Sequence, residues 1–124
     1  MSQVGTEMGS VMFRWENATK TDARLLKCIS QVFAKHPYLL KFLFEPDRPR
    51  LRLIAEDLLT ESRDMSSGED LLVRVALDLW SGSGEAHVWE LIEILDDQNL
   101  LNVVGGIRFL RTKFDGWDGP VMRQ

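Results

Sequence analysis

The chain has 124 residues, a hydrophobic fraction of 44% and one cysteine, and these values limit the class of protein. The length is sufficient for one domain with a sizeable hydrophobic core. A membrane-spanning helix needs about 18 consecutive apolar residues, and no apolar run in the chain is that long. The first residues lack the pattern of a secretory signal. We therefore expect a soluble, cytoplasmic protein that does not act in a membrane. The single cysteine, Cys28, excludes an internal disulfide and is expected to be a small buried hydrophobe.

The formal net charge of −4 is distributed unevenly along the chain. Residues 20–52 carry eight basic and three acidic side chains, whereas residues 64–97 carry nine acidic side chains and one arginine. Two interpretations fit this separation of charge. The two segments face each other within the fold, or one of them is a docking surface for a partner.

Residues 1–18 contain three methionines and two glycines with little periodicity, so we expect a flexible leader. Met12 is an alternative start, with an appended sequence before it. Met12, Phe13 and Trp15 form an apolar cluster that is expected to pack back on the domain. The alternative is that this cluster is an exposed segment that binds a partner. No segment of the chain shows the two-residue alternation that is typical of a strand, so no sheet is expected.

A central helix is predicted over residues 67–80. Ser66 and Glu69 have the spacing of a capping box, and Gly82 or Gly84 is expected to end the helix. Between these signals the polar positions recur every four residues, at Asp70, Arg74 and Asp78. The remaining positions from Leu71 onward are apolar, so this helix is expected to be buried nearly all round.

The other helices are predicted from capping residues, prolines and apolar periodicity. They run over residues 20–36, 37–43, 49–63, 88–95 and 98–113. The sequence therefore predicts an all-α fold: one compact domain over residues 19–114, with five to six short helices around the central one. Residues 115–124 are expected to form a turn-rich tail.

No arrangement of residues in the sequence is typical of catalysis. His36 and His87 are 51 positions apart, and neither has a cysteine or carboxylate at a metal-ligand spacing. The Gly82 to Gly84 stretch lacks a lysine and follows a helix, so it does not match a phosphate-binding loop. We therefore predict a protein that is not an enzyme and that has no metal and no cofactor.

The last three predicted helices have the outline of a helix-turn-helix motif, which makes nucleic-acid binding the alternative hypothesis. In this alternative, helix 98–113 enters the groove. Its candidate contact residues are Gln98, Asn99, Asn102, Arg108 and Arg111. Asp96 and Asp97 lie in the turn before this helix, and their negative charge opposes the approach of phosphates. Nucleic-acid binding is therefore the weaker of the two hypotheses.

A protein partner is the favoured hypothesis, with self-association as one form of it. Gly105 and Gly106 each cost on the order of 1 kcal/mol relative to alanine in a helix interior. Their presence indicates close approach of another helix of the same domain or a kink, with close approach of a partner as the functional alternative. Trp89 is expected to be partly exposed as an interface anchor, and Glu90 and Glu93 are expected to be solvated rim charges. The predicted partner-binding residues are Trp89, Glu90, Glu93, Gly105, Gly106, Arg108 and Arg111. The predicted function is an adaptor, regulator or inhibitor of another protein.

Overall fold

A computed structural model describes residues 3–8 and 11–112, with side chains from Phe13 to Arg111. In chain order the elements are β1 (Gln3–Met8), β2 (Val11–Glu16), α1 (Lys20–Val32), α2 (Tyr38–Leu43), α3 (Ala55–Ser62), α4 (Ser67–Ser81), α5 (Val88–Ile94) and α6 (Asp97–Thr112). Six helices around a shared buried core confirm the prediction of a compact all-α domain. The predicted tail over 115–124 lies outside the described residues.

The central helix is confirmed as α4. Ser66 and Glu69 form the predicted capping box, and Gly82 ends the helix with a left-handed φ of 72°. The apolar side chains of its first three turns are buried, namely Leu71, Leu72, Val73, Val75, Ala76 and Leu77. α1, α3 and α5 all contact α4, whereas α6 packs on α1.

The predicted flexible leader is instead a β-hairpin. β1 and β2 pair antiparallel, with Gln3 opposite Glu16 and Met8 opposite Val11. In β2 the side chain of Phe13 is buried, whereas that of Arg14 is exposed. This alternation is the pattern of a half-buried strand, but it extends over too few residues to stand out in the sequence. The prediction of no sheet is therefore wrong for this segment.

Trp15 joins the hairpin to the helical core. Its ring meets Phe13, Phe44 and Trp80 edge to face, at centroid distances of 6.4, 5.3 and 5.8 Å. Its indole N–H donates to the backbone oxygen of Glu45 at 2.9 Å. Phe13 and Trp15 are both fully buried. The expectation that the apolar cluster packs on the domain is therefore confirmed for these two residues.

Candidate protein-binding surface

The short helix α5 presents most of its apolar side chains to solvent. Val88, Trp89 and Ile92 are 73%, 64% and 58% exposed, and no residue of α5 is buried. Val88 and Ile92 are one helical turn apart, as are Trp89 and the exposed Glu93, so the four side chains share one face. We call this face, formed by Val88, Trp89, Ile92 and Glu93, the α5 surface. The predicted exposure of Trp89 is confirmed.

A network of charged side chains holds α5 on α4. Arg74 donates to both carboxylate oxygens of Glu90, at 2.9 and 3.0 Å. The same guanidinium donates to Asp70 at 3.2 Å and to the backbone oxygen of Glu85 at 3.3 Å. A bidentate pair fixes both the position and the orientation of its partners. The polar stripe of α4 therefore fixes the orientation of α5.

The connection from α4 to α5 is built on Asp78 of the same stripe. Its carboxylate accepts the backbone N–H groups of Gly84, Glu85 and Ala86, at 2.7, 3.1 and 2.8 Å. A Cβ on Gly84 would lie 1.7 Å from the backbone oxygen of Arg74, so no side chain fits there. This connection lies tightly against α4 and sets where α5 begins.

The structure corrects the prediction that Glu90 is a solvated rim charge. Besides its two bonds to Arg74, its carboxylate accepts the backbone N–H of His87 at 3.0 Å. These contacts lower the pKa of Glu90 from its ordinary value of 4.5 to about 2, with the Arg74 hydrogen bonds as the largest cause. Glu90 therefore forms an ion pair within the domain. Glu93, in contrast, is exposed as predicted.

Glu90→Gln is expected to remove part of the acid sensitivity of folding. Below pH 4.5 the unfolded state binds a proton at Glu90, whereas the folded state keeps this carboxylate ionised down to about pH 2. The stabilisation is therefore full above pH 4.5 and is lost as the pH falls through this window. The urea midpoints of the wild type and of Glu90→Gln should differ most near neutral pH and converge towards pH 2. A difference that stays constant across this range would contradict the role of the ion pair, and Glu93→Gln is the control that should leave the midpoint at neutral pH unchanged.

Gly105 and Gly106 face α1 of the same domain. A Cβ on Gly106 would lie 2.9 Å from the backbone oxygen of Cys28 and 3.0 Å from a methyl group of Val32. A Cβ on Gly105 would lie 3.2 Å from the side-chain amide nitrogen (Nε2) of Gln31. The expected close approach of another helix of the same domain is confirmed. Both glycines therefore lie against α1, and Gly106 is buried there.

Cys28 is buried where α1 and α6 meet, as predicted. Its thiol donates to the backbone oxygen of Gly106 at 3.2 Å. Burial raises the pKa of this thiol to about 12, so it stays protonated at neutral pH. A buried, protonated thiol is unreactive, and Cys28 serves packing.

The outer face of α6 carries a second set of exposed apolar side chains. Leu101, Val104 and Ile107 are 63%, 43% and 46% exposed, and Arg108 and Arg111 are exposed at the end of the helix. Both arginines therefore lie at the surface. Gly105 and Gly106, which come between Val104 and Arg108 in the chain, face α1 instead.

Two of the five residues proposed to contact nucleic acid lie on the inner face of α6, whereas Gln98, Arg108 and Arg111 are exposed. Asn99 and Asn102 are buried, and Gln98 donates its side-chain amide to Asn102 at 3.2 Å. Asp96 directly precedes α6, and its carboxylate accepts the backbone N–H of Asn99 at 2.8 Å. The same carboxylate forms an ion pair with Lys35 at 3.4 Å. These contacts lower the pKa of Asp96, chiefly through the bond from Asn99. The Lys35 pair also joins the basic and acidic segments of the chain.

Comparison of the chain with family models, curated proteins and solved structures finds no match. Among the described residues, each helix is too short or too polar to cross a bilayer. Within that same part of the chain, no group of three or more His, Cys, Asp or Glu side chains is arranged to hold a metal ion.

Proposed function

We propose that this chain is a small helical protein-interaction module that binds a partner protein through the α5 surface. The observation that carries the proposal is the exposure of Trp89 between Val88 and Ile92 on a helix that is fixed to α4 by the Arg74–Glu90 pair. Contiguous exposed apolar side chains are typical of interaction sites. A tryptophan presented on a fixed helix loses little freedom on binding, which favours affinity.

The α5 surface also specifies the chemistry of the partner. The indole of Trp89 requires an apolar socket, and Val88 and Ile92 favour an apolar rim on the same side. Glu93 lies one turn from Trp89, and the exposed Glu85 precedes the helix. A partner with basic residues beside its socket is favoured by this charge and associates faster. Such contacts suit an adaptor, regulator or inhibitor.

We propose that the chain has no catalytic role. We also propose a cytoplasmic location, which agrees with a single reduced cysteine. The two histidines have positions that suit structural roles. His36 contacts Tyr38, whose hydroxyl donates to Glu69, and His87 lies at the start of α5.

Nucleic-acid binding by α6 remains the alternative, and the burial of Asn99 and Asn102 makes it the weaker one. Side chains that read base edges must project into the groove. Generic duplex DNA and structured RNA are therefore expected to show no gel shift at micromolar protein in low salt. A robust shift that Arg108→Ala and Arg111→Ala abolish would favour the alternative, since phosphate contacts by arginine dominate binding at low salt.

The proposal is tested by photocrosslinking from the α5 surface in the cells that make the protein. A photoreactive amino acid at position 89 is expected to trap one partner, whereas the same group at position 54 is not. Ile54 is a matched control because it is 65% exposed and precedes α3. The same adducts from both positions, or none from position 89, would overturn the proposal.

A further inference from the structure

The outer face of α6 has the spacing of a helix that pairs with another helix. Asp97, Leu101, Val104, Arg108 and Arg111 follow one another at alternating intervals of four and three residues. This alternation places side chains along one seam of an α-helix, as in helices that pack lengthwise. Leu101, Val104 and Ile107 are exposed along this face. We call these three residues the α6 stripe.

The residues on this face are arranged symmetrically about Val104. Asp97 lies seven residues before it and Arg111 lies seven residues after it, and both are exposed. Leu101 lies three residues before Val104 and Ile107 three residues after it. Two identical helices that run antiparallel, with Val104 facing Val104, therefore bring acid against base and apolar against apolar.

We propose that the α6 stripe binds a second copy of this chain, antiparallel and with a twofold axis at Val104. In this pair Asp97 of each chain faces Arg111 of the other, which gives two ion pairs, and Leu101 faces Ile107. A twofold interface requires a self-complementary surface, in which each contact occurs twice. A parallel pair would place Asp97 against Asp97 and Arg111 against Arg111, so charge selects the antiparallel arrangement.

This inference does not depend on the proposed function of the α5 surface. The inner face of α6 packs on α1 through Gly106 and the buried Val103, so α6 is already held in place in the single chain. Pairing through its outer face requires no rearrangement of that packing. The α5 surface lies on another helix and stays available for a different protein.

Charge reversal at Asp97 and Arg111, which flank the α6 stripe, tests the antiparallel pairing. Sedimentation equilibrium of the full chain should show a particle of about twice the 14.2 kDa chain mass as the concentration is raised from micromolar to millimolar. Asp97→Arg alone and Arg111→Glu alone should each weaken the dimer about tenfold or more, because each places two like-charged contacts in it. The variant with both changes should regain the wild-type affinity.

Mixing the two single variants gives the sharpest result. A heterodimer of Asp97→Arg with Arg111→Glu has two attractive pairs, whereas both homodimers have two repulsive ones. The mixture should therefore dimerise like the wild type, although neither variant does so alone. Glu56→Arg is the matched control, since Glu56 is an exposed acid in the first turn of α3 and lies off this face.

The outcomes separate this arrangement from other occupants of the stripe. A wild-type chain that stays monomeric throughout this range would overturn the proposal and leave the stripe to a different protein. A dimer that the single variants do not weaken, or that the mixture does not restore, would equally overturn it. Thermal unfolding of each dilute variant checks that the single chain remains folded.

Discussion

Replacing Trp15 by alanine is expected to lower the free energy of unfolding by about 3–5 kcal/mol, the range for truncating a large buried aromatic side chain. Trp15 is fully buried, and its ring contacts three other aromatic rings from β2, the α2–α3 connection and α4. Its loss also leaves the backbone oxygen of Glu45 without the indole donor. Urea denaturation measures the effect.

Trp89→Ala is the matched control for this experiment. Both changes remove a tryptophan, but Trp89 is 64% exposed, so its loss should change the free energy of unfolding by less than about 0.5 kcal/mol. If Trp15→Ala cost as little, the N-terminal hairpin would not be packed on the core.

Replacing Gly106 by leucine is expected to destabilise the domain by about 3 kcal/mol, at the upper end for overpacking a core. The leucine Cβ alone would stand 2.9 Å from the backbone oxygen of Cys28, and backbone moves less readily than a side chain. The better helix propensity of leucine offsets only about 1 kcal/mol of this cost. The change in urea midpoint gives the result.

Gly68→Leu provides the comparison, because a Cβ on Gly68 meets no atom within 4 Å. This change should leave the free energy of unfolding unaltered or raise it by up to about 1 kcal/mol. A Gly106→Leu variant that is as stable as Gly68→Leu would show that α1 and α6 do not pack as closely as described.

The helix ends that local residues mark were predictable. The start of α3 was not, since a helix was predicted from position 49 and α3 begins at Ala55. The capping boxes at Thr19 and Ser66 and the glycine at position 82 act within one turn of chain, so they can be recognised without knowledge of the fold. The hairpin was not predictable in this way. In the part of β2 whose side chains are described, Phe13 and Trp15 point inward. Trp15 packs against Phe44 and Trp80, which are distant in sequence.

The candidate site was predicted only in part, since exposure depends on which faces find partners. The exposure of Trp89 and Glu93 was predicted correctly. Glu90 was not distinguished from Glu93, because the sequence alone gives both carboxylates the same appearance. Only the packing of α5 on α4 brings Arg74, 16 positions away, into contact with one and not the other. The glycine pair signalled close approach, but its partner helix, α1, lies almost 80 residues earlier.

The affinity of the partner trapped from position 89 tests the central claim most directly. With that partner purified, calorimetric titration should show that Trp89→Ala weakens binding at least about tenfold, while Ile54→Ala binds like the wild type, because anchoring tryptophans dominate such interfaces. The Trp89→Ala chain should keep the thermal midpoint of the wild type, which separates lost binding from lost folding. An affinity within about twofold of the wild type would contradict the assignment of the α5 surface as the site of binding.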